Sequence, residues 1–138
     1  MKRPVWLFSM DSEQFYAAPT TTATLKAYYQ KYGQHCENND IHLVHFRDAD
    51  AIAPWQQEWQ QSLLPIAKAA VNEGLQPIIG LSFYTWNAAE FLALTELFKQ
   101  SLPEILVIAG GPHVQQAEDY LGQDPIDIIV LGEGERTF

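Results

Sequence analysis

The sequence contains little cysteine and little positive charge, and each shortage excludes a class of function. Cys36 is the single cysteine among 138 residues, which excludes an internal disulfide and any metal site built from several cysteines. Eight lysines and arginines are outnumbered by 17 aspartates and glutamates, giving a formal net charge of −9. We therefore expect no nucleic acid partner and no anionic membrane partner, because both require clustered basic side chains.

Long apolar runs are also missing. No run approaches the ~20 residues that span a membrane. Met1-Lys-Arg is followed by only a few apolar residues before Asp11, unlike a signal peptide. We therefore expect a cytoplasmic protein, and the length suits one domain comprising residues 1–138.

The apolar residues that are present alternate between two patterns. Short continuous runs predict buried parallel strands at Val5–Met10, Ile41–Phe46, Pro77–Phe83, Ile105–Ala109 and Ile126–Leu131. Apolar residues at helical spacing predict four helices between these runs. Strict alternation indicates an α/β protein with a flavodoxin-like Rossmann fold: a five-stranded parallel sheet of order 2-1-3-4-5 with helices on both faces.

Local signals place the ends of these helices. Thr22 is the predicted N-cap of the first helix, and Asn87, followed by Glu90, predicts a capping-box variant at the start of the third. A short fourth helix is expected around residues 117–121. A fifth helix would be expected after Phe138, so we expect the chain to be a fragment of a longer protein.

Small residues follow three neighbouring strands of the predicted sheet. The third strand ends near Ser82, the fourth runs into Gly110-Gly111, and the fifth runs into Gly132-Glu133-Gly134. Ligands of open α/β sheets bind outside the carboxyl ends of the strands. Small residues there predict a trench in which backbone approaches a large ligand closely.

Several side chains near these strand ends have two interpretations. Phe83, Tyr84 and Trp86 either wall a flat cofactor or belong to the core. His113 either reaches a ligand or is a surface histidine. His42 and His45 are three residues apart on a strand, so they face opposite ways and cannot chelate one metal ion.

The acidic and glycine motifs argue against the common nucleotide-binding sites and against a catalytic role. Glu133 and Glu135 are predicted to order the backbone or carry a solvated charge in preference to acting as a catalytic pair. No Gly-x-Gly-x-x-Gly follows the first strand, and no phosphate-binding Gly-Lys-Ser/Thr loop is present. We expect no metal ligands and no catalysis by the isolated chain.

Taken together, three segments in order resemble a known family, the cobalamin-binding domain found in front of radical S-adenosylmethionine enzymes. The segments are Gly80-Leu-Ser82-Phe-Tyr-Thr-Trp86-Asn87, Val107-Ile-Ala-Gly110-Gly111-Pro112-His113 and Asp127-Ile-Ile-Val-Leu-Gly132-Glu133-Gly134-Glu135-Arg-Thr-Phe138. The resemblance implies cobalamin across the carboxyl edge of the sheet, with Ser82 facing its nucleotide tail and Gly110-Gly111 letting the tail pass. The cofactor-binding residues that it implies are Asp11, Glu13, Ser82, Phe83, Trp86, Gly110, Gly111, His113, Gly132 and Glu133.

The family further implies a catalytic barrel after the Gly-Glu-Gly-Glu motif. That barrel holds S-adenosylmethionine and a 4Fe-4S cluster through Cys-x-x-x-Cys-x-x-Cys, which this sequence does not contain. The resemblance implies that the parent protein is a cobalamin-dependent radical S-adenosylmethionine methyltransferase or a related iron–sulfur oxidoreductase. The barrel is therefore an expected partner, and a homo-oligomer through surface exposed by truncation is another.

The segment after the first strand departs from the family pattern. Classical cobalamin domains carry Asp-x-His-x-x-Gly there, with the histidine as lower cobalt ligand. This chain has Asp11-Ser-Glu13-Gln-Phe-Tyr16, with Glu13 in place of histidine and Tyr16 in place of glycine. Two interpretations stay open: a cobalamin-binding module, or a cofactor-free docking or substrate-recognition module. A free-standing flavodoxin-like or receiver domain is a third class. A receiver requires an acidic cluster at the carboxyl ends of the strands, and these ends are glycine-rich instead.

Overall fold

The computed structural model describes residues 1–12, 17–115, 125–132 and 134, and its strands form one parallel sheet. The strands are β1 Arg3–Met10, β2 Asn39–Phe46, β3 Ile78–Ser82, β4 Leu106–Gly110 and β5 Ile128–Ile129. Their order, β2-β1-β3-β4-β5, confirms the prediction, and every neighbouring pair is parallel. The carboxyl ends of all five strands therefore lie at one edge.

Among the described residues, four α-helices lie between these strands, namely α1 Thr20–Tyr32, α2 Ile52–Glu58, α3 Leu64–Asn72 and α4 Ala88–Ser101. A π-helical turn joins α2 to α3, so the long second helix of the prediction contains one irregular turn. Pro65 follows that turn, and a proline ring cannot continue a regular helical hydrogen-bond ladder. Within the described part of the chain, no helix is long and apolar enough to cross a membrane.

The two faces of the sheet are covered unequally. The larger core lies on the α2–α4 side and is rich in aromatic rings, including Phe8, Trp59 and Phe98, which are fully buried. On the other side, Leu25 and Tyr29 of α1 pack against a small cluster in β1 and β2. Because α1 alone contributes a described helix to that side, part of the sheet face beside it forms an open groove.

Three local predictions differ from the structure. The N-cap of α1 is Pro19, and Thr22 is buried inside the helix, where its hydroxyl donates to the Pro19 carbonyl. Asn87 precedes α4 as expected, but its side chain makes no capping hydrogen bond. β5 spans only two residues of the predicted run 126–131, and it pairs with β4 alone. The predicted helix at 117–121 lies outside the described residues.

Candidate functional site

A cleft of about 650 Å³ opens at the carboxyl edge, on the α1 side of the sheet. This volume lies within the range of about 300–1,000 Å³ that is typical of small-molecule sites. Its floor comes from β1, β3 and β4, one wall from the first turns of α1, and the other from the segment that follows β5. The lining residues used below are Thr21, Thr22, Leu25, Ser82, Tyr84, Gly110, Gly111 and Gly132.

Ser82 presents an unpaired hydroxyl to this cleft. The residue is 6% exposed, and its Oγ atom has no hydrogen-bond partner. A buried hydroxyl without a partner costs free energy, so most such groups in native proteins are satisfied by protein, water or ligand. A molecule bound in the cleft could supply the partner that Ser82 Oγ lacks.

One aromatic side chain, Tyr84, lines the cleft, and a second, Trp86, stacks on it without belonging to the lining. The Tyr84 hydroxyl lies 3.0 Å from Thr21 Oγ1, which joins the β3–α4 loop to α1. The Tyr84 ring stacks on Trp86 at 4.5 Å with an interplanar angle of 19°. Trp86 Nε1 donates to the Met10 carbonyl at 2.9 Å, yet Trp86 is 44% exposed. A flat apolar surface is thus held at the edge of the sheet.

Glycines of the predicted trench lie at the cleft, but at least one of them is required by the packing of the backbone and not only by the approach of a ligand. Gly110, Gly111 and Gly132 line the cleft. Gly111 has a φ of +103°, and a Cβ atom there would lie 2.6 Å from the Phe83 carbonyl oxygen. A side chain at Gly111 would therefore collide with backbone before it reached any ligand.

Three of the remaining candidate residues, Phe83, His113 and Asp11, are not among the residues that line the cleft. Phe83 is fully buried in the larger core, at a right angle to Phe91. His113 donates its backbone N–H to the Phe83 carbonyl, and Asp11 accepts from Ala17 N at 3.0 Å. Glu13 and Glu133 are outside the described residues.

Asp11 belongs to a polar chain that the sequence does not reveal. Ser9 Oγ lies 2.8 Å from His45 Nδ1, and His45 Nε2 lies 3.4 Å from Asp11 Oδ2. The second contact is at ion-pair distance without hydrogen-bond alignment. The Ser9 hydroxyl is buried and also contacts Thr22, so it offers no accessible nucleophile. This polar chain fastens the β1–α1 loop to β2.

The prediction that His42 and His45 face opposite sides of the sheet is confirmed. The His42 ring lies 6.4 Å from the ring of Trp6, whose side chain is in the larger core, whereas His45 contacts Ser9 on the other side. Among the residues that the structure describes, no three histidine, cysteine, aspartate or glutamate side chains group closely enough to hold a metal ion.

Sequence reasoning misses the contribution of α1 to the cleft. Thr21, Thr22 and Leu25 all line it, although the sequence around Thr22 predicts only a capping role. A usable signal exists, because a helix that follows a parallel strand begins at the carboxyl edge. The first turn of α1 must therefore lie beside the strand ends.

Comparison with protein families settles the relationship of this fold. The sequence model of the B12 binding domain matches residues 39–138. This chain belongs to the B12 binding domain family. Its matched region contains β2 to β5, and with them the glycine turns and the part of the cleft floor that β3 and β4 contribute.

Two longer methyltransferases share part of this B12 binding domain. One is a 2-(S-pantetheinyl)-carbapenam-3-carboxylate methyltransferase from Streptantibioticus cattleyicolor, 40% identical over 63 residues. The other is the cobalamin-dependent radical SAM methyltransferase TokK from Streptomyces tokunonensis, 36% identical over 63 residues. Each match covers 44% of this chain and 9% of the relative.

Among solved structures, the RcsB response regulator of Salmonella typhimurium has a similar fold. The TM-score is 0.57 and the sequence identity 13%, over 99% of this chain and 55% of that chain. At this identity the similarity supports the flavodoxin-like fold and carries no function across.

Proposed function

We propose that this B12 binding domain holds cobalamin and presents it to the catalytic barrel of a radical S-adenosylmethionine enzyme. The corrin would lie across the carboxyl edge, and the nucleotide tail would enter the cleft. The observation that carries this proposal is the unpaired, buried Ser82 hydroxyl inside a cleft of about 650 Å³. The iron–sulfur cluster and S-adenosylmethionine would belong to the barrel, outside this sequence.

The residues at the carboxyl edge of the sheet fit cobalamin. Cobalamin has a large flat macrocycle and a nucleotide tail with polar atoms, and its cobalt supplies methyl-carrying chemistry when bound. The exposed face of Trp86, braced by Tyr84, suits contact with a flat apolar surface. Ser82 Oγ suits a hydrogen bond to the tail. Leu25, from α1, offers apolar contact deeper in the cleft.

Titration of the purified chain with hydroxocobalamin tests this proposal. We expect saturable binding of one cobalamin per chain, seen as a change in its visible absorption spectrum. Ser82→Leu should weaken binding at least tenfold, because the larger side chain projects into the cleft and the unpaired hydroxyl is lost. Ser62→Leu, at an exposed position between α2 and α3, is the matched control and should bind normally.

Failure of the unmodified chain to bind any cobalamin would reject this function. That result would favour the second interpretation, a cofactor-free module that docks on or recognises substrate for the same barrel. The substitution of Glu13 for the family histidine is the sequence feature that favours this alternative.

A further inference from the structure

Asn87 has the position of a helix cap but makes different contacts. It is fully buried and directly precedes α4, yet no hydrogen bond joins its side chain to that helix. Instead Oδ1 accepts from the backbone N–H of Tyr84 at 2.8 Å. Nδ2 donates to the backbone carbonyl of Ser82 at 3.0 Å. One amide side chain therefore clamps the backbone that leaves β3.

The two clamped residues both line the cleft, whereas Asn87 does not. Ser82 contributes the unpaired hydroxyl, and Tyr84 contributes the hydroxyl that meets Thr21 of α1. Because a planar amide fixes both contacts at once, the separation of these two hydroxyl groups depends on Asn87. A residue outside the cleft lining thus determines where two lining groups lie.

We propose that Asn87 is a positioning residue for recognition of the nucleotide tail. It holds the Ser82 hydroxyl and the Tyr84–Thr21 contact at the spacing that admits and hydrogen-bonds the tail. The inference rests on the proposed cobalamin function and extends it to the origin of selectivity. Loss of the clamp should therefore reduce affinity for corrinoids with a tail more than for corrinoids without one.

The test compares cobalamin with cobinamide, a corrinoid that lacks the nucleotide tail. The measured quantity is the ratio of the cobinamide dissociation constant to the cobalamin dissociation constant. We expect Asn87→Ala to lower this ratio about tenfold, as loss of positioned hydrogen bonds in a buried site would. A loss of global stability alone would weaken both corrinoids equally and leave the ratio unchanged.

Thr95→Val is the matched control. Thr95 is also fully buried and donates a hydrogen bond to the Leu92 carbonyl within α4, away from the cleft. This variant should lower the melting temperature but keep the ratio of the unmodified chain. An equal fall in the ratio for Thr95→Val and Asn87→Ala would overturn the proposal.

Two milder variants keep the test decisive if Asn87→Ala fails to fold. Tyr84→Phe removes only the hydroxyl that meets Thr21 and should lower the ratio in the same direction. Asn87→Asp retains the acceptor for Tyr84 N–H but loses the donor to Ser82, and it should lower the ratio more than Tyr84→Phe does. Unchanged ratios in both would reject the positioning role.

The outcomes separate this inference from the proposed function. If the unmodified chain binds neither corrinoid, the cobalamin function and the inference both fail. If it binds both with a ratio near one, cobalamin binding stands and tail recognition through Asn87 is rejected.

Discussion

At the scale of single residues, Gly111 shows that a glycine beside a ligand cleft can be required by the fold itself. Its φ of +103° lies in a region that side chains disfavour. The nearest obstacles to a Cβ atom are the Phe83 backbone oxygen and nitrogen, at 2.6 Å and 2.7 Å. Backbone cannot move aside as a flexible side chain can. The turn after β4 and the segment after β3 are therefore packed directly against each other, with no room for a side chain at Gly111.

Gly111→Ala should therefore destabilise the chain strongly. We expect a loss of about 2–4 kcal/mol in the free energy of unfolding, from backbone strain and the collision together. Gly74→Ala is the matched control, because Gly74 has a φ of +77° but no heavy atom lies within 4 Å of the position that a Cβ atom would occupy there. It should cost about 1 kcal/mol. Urea unfolding measures both, and equal losses would contradict the collision.

The histidines allow a second residue-scale prediction. Three of the four histidines, His35, His42 and His45, already contact protein groups. The fourth, His113, is outside the cleft lining, and Glu13 replaces the family histidine. We therefore expect cobalamin to bind without a histidine from this chain as cobalt ligand, leaving the lower face to water or to no ligand.

Spin resonance of bound cob(II)alamin tests this prediction with two protein samples. One sample contains natural histidine and the other contains ¹⁵N-labelled histidine. We expect identical nitrogen splitting in both spectra. A change from a triplet pattern to a doublet pattern on labelling would prove a cobalt–histidine bond.

At the scale of elements, one ion pair fastens β5 to the remainder of the sheet. Lys99 Nζ lies 2.6 Å from Asp127 Oδ2 and also donates to the Ile105 carbonyl. The same carboxylate oxygen accepts the Val107 backbone N–H at 2.7 Å. Because β5 pairs with β4 over only two residues, Asp127 supplies much of its attachment, through both α4 and β4.

Asp127→Ala should accordingly loosen β5. We expect a loss of about 1–2 kcal/mol in the free energy of unfolding, limited by solvent screening because both side chains are partly exposed. Glu104→Ala changes an exposed carboxylate in the same region and should alter stability by less than about 0.5 kcal/mol. Thermal unfolding compares the two, and amide exchange at Ile129 should increase selectively in Asp127→Ala.

For the domain as a whole, the α1 side of the sheet leaves apolar surface exposed. Ile128 is 43% exposed and Leu131 50% exposed, and a second pocket of about 200 Å³ continues from the cleft toward the amino edge. Exposed apolar surface favours association. The net charge of −9 opposes it, although salt at about 0.15 M screens charges beyond about 8 Å.

We therefore expect the chain to self-associate at high concentration, as shown by sedimentation velocity over a range of concentrations. Ile128→Asp should return it toward the monomer. Ile66→Asp is the control, since Ile66 is 45% exposed but lies on α3, on the opposite face. A monomer at every concentration, or an equal effect of both variants, would contradict this expectation.

Residue types and their spacing are enough to establish the fold class and the edge of the sheet where the site lies. Continuous apolar runs alternating with helical spacing allow few arrangements other than a parallel sheet, and strand ends then share an edge. Ser82, Gly110, Gly111 and Gly132 can be located for that reason. The B12 family is also recognisable at this level, because its motifs are short and ordered.

The folded chain, in contrast, establishes which side chains meet across the site. Sequence spacing predicts Asn87 as a helix cap, but the turn of β3 into α4 brings its amide to the Ser82 and Tyr84 backbone instead. Thr21 meets Tyr84, and Ser9 meets His45, across separations of 63 and 36 residues. Such contacts depend on register, helix rotation and loop path, which residue types and periodicity do not encode one position at a time.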